Sequence, residues 1–293
     1  MSTSSSPPSP TQSPILVAGS TGTVGGPLVR QLVERGESVR AGTRSPSSYD
    51  GPREVTPVRL DLSDPDTWEA ALQGVRRAFV LSPSAPSAHA QMGPFVTAAA
   101  DAGVRRIVVM TAMGVDQAPD DDPLRRAELA AEKSAAESVV LRPNWFMQNF
   151  LTFWRDMIET DGVLRLPAGD GATSFVDAID IARVAATALT DASLAGTDHT
   201  LTGPSAHTHA EAAEILSNAW NRPIRYEPVG DAEAIDLFRA AGLDQQYAEM
   251  LVGLFESVRA GYTAPVSPAV EEVTGRPPRS MRAFAESTAR VMA

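Results

Sequence analysis

The segment Ile15–Val29, Ile-Leu-Val-Ala-Gly-Ser-Thr-Gly-Thr-Val-Gly-Gly-Pro-Leu-Val, constrains the fold of this chain more than any other. A short apolar run, Ile15 to Ala18, stops at Gly19, Gly22 and Gly25; apolar residues then return at helical spacing at Leu28, Val29, Leu32 and Val33. The pattern predicts a strand, a tight turn and a helix. In that arrangement Gly19 lets the chain turn sharply, Gly22 lets backbone approach a pyrophosphate, and Gly25 lets the helix lie close on the strand. The helix N-terminus adds unpaired N–H groups and the positive end of its dipole, which suit phosphate. Gly19, Thr21, Gly22, Thr23, Val24 and Gly25 are therefore candidate dinucleotide-binding residues.

At 293 residues the chain is long enough for a large α/β domain with a small second lobe. With 25 basic against 36 acidic residues its net charge is −11, which opposes long-range attraction to nucleic acid or to an anionic membrane. The absence of cysteine excludes disulfides, thiolate nucleophiles and zinc–thiolate sites. No apolar stretch approaches the roughly 20 residues of a membrane span. Residues 1–13 are mostly Ser, Pro, Thr and Gln and read as a disordered tail without a secretory signal, so a cytoplasmic protein is expected.

Strand and helix patterns then alternate. Strands are expected at Ser38 to Ala41, Val55 to Leu60, Ala78 to Leu81, Val104 to Met110 and Val139 to Leu141. This repetition specifies a doubly wound parallel sheet, a Rossmann fold, with its ligand crevice at the carboxyl ends of the strands. The second strand ends at Gly42-Thr43-Arg44 without an acidic residue to accept from ribose hydroxyls. Arg44 instead offers a planar fork to a 2′-phosphate, which favours NADP(H), with Arg40 and Ser45 as accessories. The fourth strand stops at Ser82-Pro83, where a nicotinamide ribose would pass, and the fifth at Thr111. Asp64-Pro65 should start a helix with N-cap and N1 residues in the favoured order.

Four segments carry a family resemblance: Ile15–Gly26, Leu141–Phe150 (Leu-Arg-Pro-Asn-Trp-Phe-Met-Gln-Asn-Phe), Ser174–Ala182 and Leu201-Thr202-Gly203-Pro204. Together they resemble the NmrA-like branch of the atypical short-chain dehydrogenases/reductases, over about residues 14–290. That branch includes quinone reductases, isoflavone-type reductases, ergot-alkaloid dehydrogenases and nucleotide-sensing regulators. The resemblance implies that Asp61, with Leu62, meets the adenine. It also implies a smaller C-terminal substrate lobe. The dinucleotide-binding core is expected at 14–150 and the lobe mostly at 151–293, with a return to the sheet near 173–190.

Typical members of the superfamily carry a Ser or Thr after the fifth strand and a Tyr-x-x-x-Lys pair on the next helix, which handle the reacting proton. Here the hydroxyl position falls on Ala112 or Met113. If Glu132 matches the glutamate four residues beyond the family lysine, Leu124 replaces the tyrosine and Glu128 the lysine. The proton-transfer set is then missing, and hydride transfer to an activated acceptor rests on orientation against the nicotinamide. Lys133 and Asn144 are weak catalytic candidates, and Lys133 reads rather as a solvated helix charge. Met113, Trp145, Phe146 and Asn149 are candidate substrate contacts, since an aromatic cluster beside amides suits a flat acceptor. Trp145 and Asn149 read evenly as substrate contact or helix core, whereas Phe150 and Phe153 read as core.

Asp177 and Asp180 are expected to be caps or turn formers, and Phe175 to Asp180 a strand rejoining the sheet. Thr208-His209-Ala210-Glu211 is a capping box that gives His207 and His209 an ordinary place at a helix start, with no metal site. The whole reads as an NADP(H)-dependent reductase of a small conjugated, quinone-like or imine substrate. Two alternatives stay open on the same fold: a non-redox cyclase or isomerase, and a dinucleotide-sensing regulator. Neither nucleic acid nor membrane is expected as a partner, and monomer and homodimer are equally compatible with the sequence.

Overall fold

The computed structural model describes residues 13–81 and 86–292. The chain forms two compact units: one runs up to Arg142 and takes back Ile181–His199, and the other comprises Pro143–Asp180 and the chain from Thr200 onward.

The first unit contains β1 (Ile15–Ala18), α1 (Gly25–Glu34), β2 (Val39–Thr43), β3 (Thr56–Arg59), α2 (Trp68–Leu72), β4 (Arg77–Leu81), α3 (Met92–Asp101), β5 (Arg106–Met110), α4 (Pro123–Lys133) and β6 (Glu137–Pro143). Next in the chain come α5 (Arg155–Thr160), β7 (Val163–Leu166), β8 (Ala172–Thr173), α6 (Ala178–Thr190) and β9 (Thr197–Leu201). The main sheet has the order β3-β2-β1-β4-β5-β6-β9. Strands β1 to β6 pair parallel throughout. Gly196 N–H to Ser138 O and Asn144 N–H to Leu201 O place β9 beside β6 in the same direction. Leu16, Ala18, Ala78, Val80, Ile107 and Val109 pack with α2, α3 and α4 on one face. Their neighbours Ile15, Val17, Phe79 and Val108 are equally buried on the other, as two covered faces require. The order reverses between β1 and β4, which is where a doubly wound sheet opens its crevice.

Three arginines anchor the C-terminal end of α6 to this unit. Arg35 donates to the hydroxyls of Thr190 and Thr187, Arg77 to Leu189 O, and Arg106 to Ala188 O and Asp191 O. Cationic donors at unpaired helix carbonyls are favoured twice, by hydrogen bonding and by the dipole. The strand that rejoins the sheet is therefore β9, not Phe175–Asp180, which contributes only a Phe146↔Val176 bridge. Asp64 and Pro65 take the expected N-cap and N1 places, but of a 3-10 turn, Pro65–Thr67, that runs into α2, and the Asp64 carboxylate pairs with Arg59 at 3.2 Å instead of capping it.

The second unit adds β10 (His207–Thr208), α7 (His209–Trp220), β11 (Arg225–Pro228), α8 (Asp231–Ala240), α9 (Gln245–Arg259), α10 (Ala269–Thr274) and α11 (Met281–Met292). Strand β11 pairs parallel with β7, and β10 antiparallel with β8. Its core gathers Phe150, Trp154, Phe175, Leu216, Trp220, Phe255 and Phe284. Phe153, expected in this core, is 55% exposed. The turn Met147–Leu151 is 3-10, and the chain breaks at Thr152 (φ −126°, ψ −90°), so the helical spacing from Phe150 to Phe153 does not place both on one face. Asp177 and Asp180 are structural as expected. Asp177 accepts from Ile179 N–H, Gln148 and Arg279, and Asp180 from Arg279 N–H.

Candidate dinucleotide and acceptor site

The turn after β1 is built for close approach. Gly19 has φ +64°, a left-handed conformation that side chains resist. A Cβ at Gly25 would overlap the Gly19 carbonyl, whereas one at Gly22 would meet only that oxygen, at 3.2 Å. Gly22 N–H donates to Gly19 O at 2.9 Å, and the Ser20 hydroxyl and N–H both reach Gly42 O, tying the loop to β2. Thr21, Gly22 and Thr23 are exposed. Helix α1 starts without a side-chain cap and without an acidic residue in its first turn. Gly26 N–H donates to Gly22 O at 3.0 Å and Pro27 has no N–H, so Gly25 N–H and the positive end of the helix dipole are what α1 offers here, and the cradle fits a dinucleotide pyrophosphate.

At the ends of β2 and β3, Arg44 is exposed, and among the described residues no hydrogen bond or ion pair engages its guanidinium. Asp61 lies close by. Hydrogen bonds from the Ser63 hydroxyl and then the Ser63 N–H hold its carboxyl below the usual range, with Arg44 and Arg59 adding to the effect. Both bonds fall on Oδ1. Leu62 is buried. Arg40 is not an accessory to Arg44, because its guanidinium is spent on Ala71 O and Gln73 O at the end of α2. Ser45 is exposed next to Arg44. Ser82 and Pro83 lie outside the described residues.

Thr111 directly follows β5 and is buried, with its hydroxyl donating to Glu128 Oε1 at 2.6 Å. Glu128 sits on the inner face of α4 with no exposed surface. It also receives Arg142 Nε at 2.9 Å, Arg142 Nη2 at 3.0 Å and Arg125 Nη1 at 2.8 Å. Burial opposes the Arg142 charge, but Glu128 and Asp198 together hold its pKa above the ordinary arginine value. This cluster was hidden in the sequence, although its signal was present: a carboxylate between Ala127 and Ala131 on an otherwise apolar stripe, and an arginine ending the run Val139-Val140-Leu141.

Glu128, which the sequence placed at the family lysine position, is held inside the fold, while Glu132 is largely exposed. Lys133 is exposed in the last turn of α4, more than a turn beyond the Glu128 that Thr111 meets. Met113 is half-buried in the turn that Gly114 completes at φ +88°.

In the second unit Asn144 is buried and fully engaged. Its Nδ2 donates to Ser174 Oγ and to Thr263 O, each at 2.8 Å, and its Oδ1 accepts from Trp145 N–H at 2.9 Å. Trp145 is half-buried, stacked on Trp154 at 5.9 Å and tilted against Phe255 at 4.8 Å. Phe146 and Asn149 are half-buried beside it in sequence. Behind these rings lies His209, 1% exposed, with both ring nitrogens buried and unpartnered. Trp154, Phe175, Tyr226 and Phe255 surround it at 5.4–5.9 Å between centroids. Burial pushes its pKa down to about 4. The capping box forms as expected, yet His209 shares the face of Ala212, Ala213, Leu216 and Trp220, a spacing that marks it as core. A recess of about 550 Å³ in this unit is floored by Gln148, Arg279 and Ser287 and contains none of the candidate acceptor residues.

Comparison with known proteins fixes the class. Residues 19–192 match the family described as NAD(P)H-binding. The chain is 34% identical over 282 residues to the NAD(P)H azoreductase of Xenophilus azovorans, covering 94% of this chain and 98% of that one. It is 33% identical over 282 residues to the oxidoreductase YesF of Bacillus subtilis, covering 95% and 96%. The NADPH-dependent quinone oxidoreductase QOR2 of Escherichia coli shares the fold, with a TM-score of 0.82 at 24% identity over 93% of this chain and 99% of that one. The chain belongs to the NAD(P)H-binding family of Rossmann-fold oxidoreductases, and these matches are consistent with the NmrA-like resemblance of its sequence. It is an NAD(P)H-dependent oxidoreductase.

Proposed function

We propose that the protein is an NADP(H)-dependent reductase that transfers hydride to a small conjugated, quinone-like or imine acceptor without the Ser-Tyr-Lys set of its superfamily. Helix α4 carries this reading. No tyrosine occurs between Tyr49 and Tyr226, the chain's sole lysine is Lys133, and the inner face of α4 presents Glu128 instead. Thr111 commits its one hydroxyl proton to that carboxylate, so it is not offered to a reacting oxygen. When bound, the reduced nicotinamide supplies the hydride. Gly19, Thr21, Gly22, Thr23, Val24 and Gly25 hold the pyrophosphate, Arg44 the 2′-phosphate, Asp61 and Leu62 the adenine, and Thr111 borders the cofactor. Trp145, Phe146 and Asn149 orient a flat acceptor. Orientation suffices for acceptors that are already electrophilic. A quinone or enone takes its proton from water, and a cationic imine needs none.

The test is calorimetric titration of nucleotide-stripped protein with NADPH, NADP+, NADH and NAD+, followed by a screen of quinones, azo dyes and cyclic iminium compounds for loss of reduced-nicotinamide absorbance. Tight binding of the phosphorylated pair together with turnover supports the reading. Binding without turnover favours the sensor, and no binding to any of the four favours a non-redox enzyme.

A further inference from the structure

We infer that Asn144 is a positioning residue: it fixes the indole of Trp145 and ties it to the segment 262–268 between α9 and α10. This rests on the reading of Trp145 as the surface on which the acceptor stacks. The orientation of the Asn144 amide is set by its surroundings. Thr263 O can only accept, so the group facing it is the amide nitrogen, and Trp145 N–H can only donate, so the group facing it is the amide oxygen. Both Nδ2 protons are thereby used, which removes Asn144 from proton transfer.

The peptide on the other side of Trp145 is fixed as well, since its carbonyl accepts from Val176 N–H at 2.9 Å. Asn144 N–H in turn donates to Leu201 O at 2.9 Å. Segment 262–268 is buttoned down by the same polar layer. Ser174 Oγ reaches Pro265 O at 2.8 Å, Thr173 Oγ1 meets Thr263 Oγ1 at 3.1 Å, and Ser267 N–H donates to Thr202 Oγ1 at 2.9 Å. With its backbone held at both ends and its ring backed by Trp154 and Phe255, Trp145 has one orientation to offer. A stacking surface fixed before binding loses less freedom when the acceptor arrives. Among the described residues, the amide of Asn144 is the single side chain that joins the Trp145 backbone to both Ser174 and the 262–268 segment.

The experiment compares Asn144→Ala, Ser174→Ala and Trp145→Ala, with menadione as acceptor and NADPH as donor. It reads KM and kcat for menadione, the dissociation constant for NADPH, and the near-ultraviolet circular dichroism of the Trp145–Trp154 pair. Asn144→Ala is expected to raise the menadione KM about tenfold or more, leave NADPH affinity unchanged and flatten the tryptophan signal, because small misplacements of a positioning group have effects of this order. Ser174→Ala, which removes one acceptor of the Asn144 amide together with the hydroxyl's own bonds to Thr263 O and Pro265 O but leaves the amide its bonds to Thr263 O and Trp145 N–H, should move KM and the spectrum the same way by about two- to fivefold. It decides the matter if Asn144→Ala does not fold. A raised KM in Trp145→Ala with KM and spectrum unmoved in both other variants overturns the role of Asn144 alone. An unmoved KM in Trp145→Ala overturns the stacking reading and this inference with it.

Discussion

Arg142 meets Glu128 side-on, Nε to Oε1 at 2.9 Å and Nη2 to Oε2 at 3.0 Å, and the glutamate has no exposed surface. The same carboxylate accepts from Thr111 and Arg125, so all its oxygens are paired in a layer between β5, β6 and α4. Removing one partner of such a pair leaves a buried charge without compensation. Glu128→Ala is therefore expected to destabilise the protein by about 3–5 kcal/mol, most of it from the stranded Arg142. Urea unfolding measures this. A loss below about 1 kcal/mol would mean that Asp198, which pairs with Arg142 at 2.7 Å, is enough to compensate it.

The fate of Arg44 separates the two nicotinamide cofactors. Its guanidinium is exposed beside Asp61, whose carboxyl it helps to hold ionised. Arg44→Ala should weaken NADPH by about 1.5–3 kcal/mol, the range for a hydrogen bond to a charged group, and leave NADH unchanged. Equal losses for both cofactors in calorimetry would remove Arg44 from the 2′-phosphate.

Gly22 and Gly25 should fail in different ways. A side chain at Gly25 would intrude on the Gly19 backbone, so Gly25→Ala should lower the melting temperature. At Gly22 the nearest atom to a Cβ is Gly19 O at 3.2 Å, and the residue faces outward. Gly22→Val should cost less than about 1 kcal/mol of stability yet abolish dinucleotide binding. Retained NADPH affinity in a folded Gly22→Val protein would contradict the assignment of this loop to the pyrophosphate.

What could be read in the sequence was local, and what could not was long-range. The glycine turn, the capping box at Thr208 and the bond from Ile179 N–H to the Asp177 carboxylate each depend on residues within a few positions, and each formed as expected. Glu128 finds Arg142 across 14 positions, and Asn144 finds Ser174 across 30 and Thr263 across 119. No periodicity encodes such partners. Asn144 thus read as a weak catalytic candidate when its amide serves the backbone. Phe153 failed for a different reason, because a 3-10 turn and a break at Thr152 replaced the helix its spacing implied.

His209 makes the second unit sensitive to acid. Its imidazole is enclosed by Trp154, Phe175, Tyr226 and Phe255, and neither nitrogen has a partner. Charging it would place a cation among rings with no carboxylate, among the described residues, to meet it. Tyr226 is the titratable group that faces it, and the Tyr226 hydroxyl is committed to Leu166 O. Burial lowers the His209 pKa from 6.5 to about 4. Between those values the unfolded chain binds more protons than the folded one, so stability rises with pH there. The contribution is present in full above about pH 6.5 and is lost as pH falls toward 4, amounting to about 3 kcal/mol over the window. His209→Phe keeps a ring of similar shape and removes the titration. Unfolding measured at several pH values between 4 and 7 should show a steeper decline in the parent protein than in the variant. Parallel curves would mean that the imidazole does not protonate on unfolding in this range, and that carboxylates alone set the acid limit of the fold.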